Sequence, residues 1–354
     1  MTFHRHVKKM LGELLLYMGI IDRTQLQEAL AKQKETGRLI GETLVELGFA
    51  KEEDIVGAIA FQYMIPYLRL RNCDVDRALL SLIPRDFALE HSCFPVERVD
   101  TILTVVMANP LDEKAIEKIK RISKSDVLCF VSTPTEIASA IEEHYGGVEK
   151  ELGPTETFAV ETEAPIKVFQ LEGKTFPEEW AMAVPGMEKL PEILVNDGCI
   201  SSDQMRKALD RQKAEGGSIV RLLIEKRYVP EKALMTCIAI HMNIPPLELN
   251  RYKPDREVLD LVSRRIASYC QVIPIAALGH TLSLAMVDPF DVVAIDYIRL
   301  NTGLEIQPII CLEKDFRDAL GNYYSAEADM EGLLKEMESP KGEMKEGDAD
   351  LEIM

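Results

Sequence analysis

Few residues of this 354-residue chain are spaced for bond-making chemistry. Gly173, Lys174 and Thr175 have the ending of a phosphate-binding loop, but that loop needs another glycine five residues before Gly173, where Val168 stands. No strand precedes the string, so it reads as an accidental match. The six histidines are dispersed: His4 and His6 lie near the start, and His91, His144, His241 and His280 are read as lacking partners at ligand spacing. Seven cysteines stand singly and never as a CxxC pair, which indicates reduced, mostly buried thiols and neither a disulfide frame nor a zinc site. Carboxylates are plentiful on solvated faces, and no serine has a nucleophile-elbow context. No catalytic residue, metal ligand or resident cofactor is expected.

The regular spacing belongs to glycine and glutamine. The stretch LGELLLYMGIIDRTQLQEALAKQ, from Leu11 to Gln33, returns 29 residues later as IGETLVELGFAKEEDIVGAIAFQ, from Ile40 to Gln62, with glycines and glutamine in register. Gly12 and Gly41 fall inside predicted helices, where each costs about 0.5–1 kcal/mol relative to alanine. Two explanations compete. One is close helix-on-helix contact. The other is close backbone approach by a flat or anionic ligand, with Gln33 and Gln62 closing the motif and Lys8, Lys9 and Arg38 supplying positive charge.

The elements that must position these residues are written twice. A shift of 179 residues aligns Met10–Tyr145 with Lys189–Tyr324 without a gap: Gly19 meets Gly198, Gln33 meets Gln212, Pro66 meets Pro245, Met107 meets Met286, Asp112 meets Asp291 and Tyr145 meets Tyr324. Each module opens with apolar residues at three- and four-residue spacing, such as Leu11, Leu14, Leu15 and Met18. Gly19, Gly37 and Gly48 are placed to stop helices, and Asp22 with Gln25 resembles a capping box. That predicts two helical hairpins. The second half of each module alternates strand and helix: FPVE from Phe94, TILTVVMA from Thr101, a helix begun at Pro110, DVLCFV from Asp126 and a closing helix.

The fold class predicted is α+β: two tandem modules, each a four-helix double hairpin followed by a small α/β sandwich. The first module is placed at 1–145 (helical 1–65, α/β 66–145) and the second, degenerate one at 189–324 (helical 189–244, α/β 245–324). An acidic linker, 146–188, and an acidic tail, 325–354, complete the chain.

The net charge of −18 is concentrated outside the modules. Glu149–Glu179 holds eight acids against three lysines, and Ser325–Met354 ten against three, as solvated segments do. The hairpins are mixed or acidic, which argues against a nucleic-acid reader. There is neither an apolar run long enough to span a bilayer nor a secretory leader, so a cytoplasmic protein is expected.

The doubled motif resembles the N-terminal domain of type II secretion and type IV pilus assembly ATPases, called MshEN or secretion-protein-E N-terminal domain. In that family two 24-residue motifs, each opening Arg-Leu-Gly and closing on Gln, are joined by five residues; here Met10–Gln33 and Leu39–Gln62 flank Lys34–Arg38. The fit runs through Gly12, Leu15, Gly19 and Gln33, then Gly41, Leu44, Gly48 and Gln62, and VVMANPLD from Val105 is similar to the family's Ala-Asp-Pro segment. The resemblance implies a binding module that holds cyclic di-GMP in some members and docks the motor to an inner-membrane assembly platform in others. Carried onto this chain, the ligand residues would be Lys9, Met10, Leu11, Gly12, Leu15, Gly19, Gln33, Arg38, Leu39, Ile40, Gly41, Leu44, Gly48, Gln62 and Asn109. Met10 and Leu39 replace the motif arginines, with Lys9 and Arg38 one position earlier, and Asn109 replaces the acidic residue of the Ala-Asp-Pro segment. The second module keeps Asp288, but Pro191, Val220, Arg227 and His241 replace expected glycines and glutamine. No phosphate-binding loop of an ATPase core is present in the sequence. The expectation is a non-catalytic regulator or adaptor that binds cyclic di-GMP through the first module. The alternative is a protein scaffold for a secretion or pilus apparatus.

Overall fold

Glycine punctuation and caps shape the first helical half as the sequence predicts. The fold is seen in a computed structural model, which describes residues 10–146 and 189–324. The expected linker beyond Gly146, the tail, His4, His6, Lys8, Lys9 and the Gly173–Thr175 string lie outside the described residues. Helices α1 (Leu11–Tyr17), α2 (Arg23–Thr36), α3 (Ile40–Glu46) and α4 (Glu52–Tyr63) make two hairpins. The Asp22 carboxylate accepts from the Thr24 and Gln25 amides at 2.8 and 2.9 Å, while the Gln25 side chain accepts from the Asp22 amide at 2.9 Å. Gly19, Gly37 and Gly48 turn the chain with φ of +72°, +71° and +70°, values that cost other residues about 1–2 kcal/mol. Leu14, Leu15, Ala29, Leu44 and Phe61 bury against one another in a core of their own.

The α/β half holds two short helices that periodicity did not reveal, α5 (Arg77–Leu80) and α6 (Arg85–Glu90). Strands β1 (Cys93–Val99) and β2 (Ile102–Met107) form an antiparallel hairpin, and α7 (Glu113–Ser123) crosses over to β3 (Asp126–Val131), which lies parallel to β2. Helix α8 (Pro134–Tyr145) closes the module. The helix expected to start at Pro110 begins at Glu113, because the Asp112 carboxylate takes the N-cap position and accepts from the Ala115 amide at 3.0 Å.

The second module repeats the order. Its helical half comprises α9 (Leu190–Asn196), α10 (Ser202–Glu215), α11 (Ile219–Glu225) and α12 (Glu231–Met242). Then come α13 (Arg256–Leu259), α14 (Arg264–Cys270), β4 (Val272–Leu278), β5 (Thr281–Met286), α15 (Val292–Thr302), β6 (Glu305–Ile310) and α16 (Glu313–Tyr323). Its sheet has the same order, β4-β5-β6. The backbone keeps what the side chains have changed: left-handed residues recur at Gly48 and Arg227 (+70°, +54°), Asp100 and Gly279 (+55°, +59°), and Lys124 and Gly303 (+52°, +70°).

The modules meet along a pseudo-two-fold seam. Cys73 and Tyr252, equivalent under the repeat, pair in an antiparallel bridge. On either side the Asp74 amide donates to the Arg251 carbonyl (2.7 Å) and the Lys253 amide to the Asn72 carbonyl (2.9 Å), again an equivalent pair. The two sheets share one buried cluster. The helical halves reach across: Gln307 Nε2 donates to the Ala60 carbonyl of α4 (2.6 Å), and Val99, Ile102 and Leu128 of the first sheet bury with the α9–α12 helices. Among the described residues no helix is long and apolar enough to cross a membrane.

Candidate functional site

The motif residues of the first module gather at the start of α1 and α3. Met10 and Leu39 are the N-cap residues of these helices and are 57% and 51% exposed. A Cβ added at Gly41 would lie 3.8 Å from Leu11 Cδ2, so the first turns of the two helices are neighbours. Leu15 and Leu44 point into the core, whereas Gly19 and Gly48 sit exposed at the turns. Ile40 is half-buried beside Gly41.

Both helical glycines have a close packing neighbour. A Cβ at Gly12 would meet Leu26 Cδ1 at 2.6 Å, and one at Gly41 would meet Ile55 Cγ2 at 2.7 Å, so the flexible end of Leu26 would have to swing aside and the β-branch of Ile55 would have to shift. The two contacts are images of each other under the 29-residue repeat.

Polar members of the motif are already engaged. Gln33 Nε2 donates to the Arg38 carbonyl (2.9 Å), closing the α2–α3 loop, and Gln212 does the same to Gly217 (3.1 Å). Arg38 Nη1 pairs with Glu46 Oε2 (2.9 Å), whose other oxygen takes Lys32 Nζ (2.8 Å). The hydrogen bond from Lys32, ahead of Arg38, holds the Glu46 carboxyl below its ordinary range. Gln62 is buried in α4. Asn109 lies in the other half of the module, in the β2–α7 turn, where its Oδ1 accepts from the Leu111 amide (3.2 Å).

The second module departs from the first in two places that matter. On α15 the side chains of Val293, Tyr297 and Leu300 form a stripe at helical spacing, and Val293 and Leu300 are 80% and 82% exposed. The first module has Lys114, Lys118 and Arg121 at the equivalent positions, so the same helix face is charged in one copy and apolar in the other.

The other departure joins residues that the sequence reading left apart. His241 does have a partner at ligand spacing: Cys237 stands four residues earlier on α12, so the pair shares a helix face. His241 Nε2 lies 2.7 Å from Asp197 Oδ2, and Cys237 Sγ lies 3.6 Å from the same oxygen. Burial, with Cys199 and Asp197 close by, pushes the Cys237 thiol up to about 12. The Cys-x-x-x-His spacing was the signal that could have been seen; the approach of Asp197 was not visible in it.

Comparison with known proteins adds the following. The family model described as MshEN domain matches residues 63–151 and 242–330, segments in the same register as the internal repeat. Both begin at the end of the helical half, so the match falls on the α/β halves. The type IV pilus assembly ATPase PilB of Thermus thermophilus is 26% identical over 284 residues, 79% of this chain and 29% of PilB. PilB of Myxococcus xanthus is 31% identical over 137 residues, 39% of this chain and 24% of that protein. The chain thus spans less than a third of the length of these relatives. Among solved structures, MshE with cdg is 29% identical and matches 39% of this chain and 100% of its own, with a TM-score of 0.36. The N-terminal domain of XpsE is 22% identical over 40% of this chain and 96% of its own, with a TM-score of 0.35.

Proposed function

The chain belongs to the MshEN domain family, whose model it matches twice, and from that premise we propose that it is a non-catalytic cytoplasmic recognition protein docking to a type IV pilus or type II secretion apparatus. One observation carries the reading: the apolar stripe of Val293, Tyr297 and Leu300 stands exposed where the first module carries cations. Solvent-facing helix positions gain nothing from two large aliphatic residues unless a partner covers them. The test is retention of the purified cytoplasmic part of an assembly-platform protein on immobilised full chain. Val293→Lys with Leu300→Arg, which copies Lys114 and Arg121, is expected to abolish retention. Equal retention by this variant refutes the docking face. Release of phosphate from ATP by the purified chain would refute the non-catalytic reading.

A second reading concerns the first module. The neighbouring first turns of α1 and α3, with Met10 and Leu39 exposed at their caps, support cyclic di-GMP as a ligand of that face, in line with the motif it carries. Titration calorimetry of the full chain with cyclic di-GMP is expected to give saturable heat. Silence at high micromolar ligand removes this reading and leaves docking alone.

A further inference from the structure

Asp197 ends α9, Gly198 turns the chain with φ of +71°, and Cys199 follows; Cys237 and His241 face this turn from one side of α12. The ligand atoms of Asp197, Cys237 and His241 all lie within 4.8 Å of one another, and Cys199 stands beside Cys237 at the edge of that group. We propose that Asp197, Cys237 and His241 hold a zinc(II) ion, with the neighbouring Cys199 turning in as the fourth ligand, and that the ion staples the α9–α10 turn to α12.

Geometry and chemistry agree on the ion. A tetrahedral zinc with bonds of about 2.0–2.3 Å sets its ligand atoms about 3.3–3.8 Å apart. The Cys237–Asp197 separation of 3.6 Å already falls in that range, and the 2.7 Å Asp197–His241 contact has to open by a fraction of an ångström. Two thiolates, an imidazole and a carboxylate form a mixed set suited to a borderline-soft cation and unsuited to calcium or magnesium, which take oxygen.

Internal comparison supplies an independent observation. The first-module equivalents of Asp197, Cys199, Cys237 and His241 are Met18, Ile20, Ala58 and Gln62. Four ligand-bearing side chains thus enter together at equivalent positions, in the copy that has lost three of the four motif glycines and keeps Gly198. A lone ion pair between Asp197 and His241 would need neither cysteine.

The first module also supplies fold-compatible controls. Cys237→Ala, His241→Gln and Cys199→Ile each install the residue that the first copy carries at the equivalent place. The reduced full chain, stripped with chelator, is titrated with zinc(II) and with cobalt(II). The expected result is one equivalent of metal per chain, a rise in melting temperature, and for cobalt the intense visible bands of a tetrahedral site with thiolate-to-metal charge transfer. Cys237→Ala and His241→Gln should each weaken binding by at least the about 10–100-fold that losing an outer-shell partner costs, and abolish the thermal response. The site is overturned by cobalt spectra without a thiolate band, by uptake unchanged in the Cys237→Ala/His241→Gln double variant, or by a melting temperature indifferent to metal.

Discussion

The Glu97 carboxylate, buried in β1, accepts the Glu248 backbone amide across the seam through both oxygens, at 2.9 and 3.1 Å. Burial pushes its pKa up to about 8; the Glu248 amide and Arg251 lower it, while the charges of Glu248 and Asp315 raise it further. A carboxyl whose folded value is raised favours folding in its protonated form. Its contribution is complete below the ordinary carboxyl range and is lost as pH rises through about 8. Stability of the full chain should therefore fall between about pH 5 and 8, with a slope from this group of up to about 1.4 kcal/mol per pH unit. Glu97→Gln keeps an acceptor for Glu248 and should flatten that slope, as urea unfolding across the range would show.

Gly41→Ala separates the two explanations for the helical glycines. Overpacking against Ile55 costs about 1–3 kcal/mol, against a helix-propensity gain of about 0.5–1 kcal/mol, so net destabilisation is expected. Ile55→Leu removes the β-branch that a Cβ would strike and should recover part of the loss in the double variant. Chemical denaturation showing Gly41→Ala as stable as the parent would return the glycine to a ligand role.

Arg227 adopts φ of +54° where the first module uses Gly48. Relief of about 1–2 kcal/mol of left-handed strain outweighs the about 0.4–1 kcal/mol of added unfolded-state entropy. Arg227→Gly should raise the melting temperature, and a drop would show that the arginine side chain contributes more than its backbone costs.

Val293→Lys with Leu300→Arg should leave stability within about 0.5 kcal/mol of the parent, because both side chains are exposed. A larger loss, read by thermal unfolding, would mean that the stripe packs within the protein and is not a docking face.

Much of this architecture was legible in local signals. Gly19, Asp22 with Gln25, and the alternation around Val105 act over a few residues, and the repeat let each be read twice. Helices α5 and α6 were missed because four to six residues carry no measurable period. The seam was missed because which buried face meets which is decided by packing between distant segments, as with Gln307 and Ala60. In the candidate site, glycine spacing located the first turns of α1 and α3 but could not tell Leu26 and Ile55 from a ligand as the cause. Asp197 and His241 escaped because 44 residues separate them, and it is the packing of α9 against α12 that brings them together.

The bridge between Cys73 and Tyr252 joins a segment to its own duplicate, which is the contact that a symmetric pair of separate chains would make about a dyad. Fusing the two partners in one polypeptide makes their association independent of protein concentration. It also frees each copy to change alone: one kept its glycines, while the other took on a bare aliphatic stripe and a thiol–imidazole cluster. A homodimer, whose subunits share a single sequence, cannot divide labour in that way.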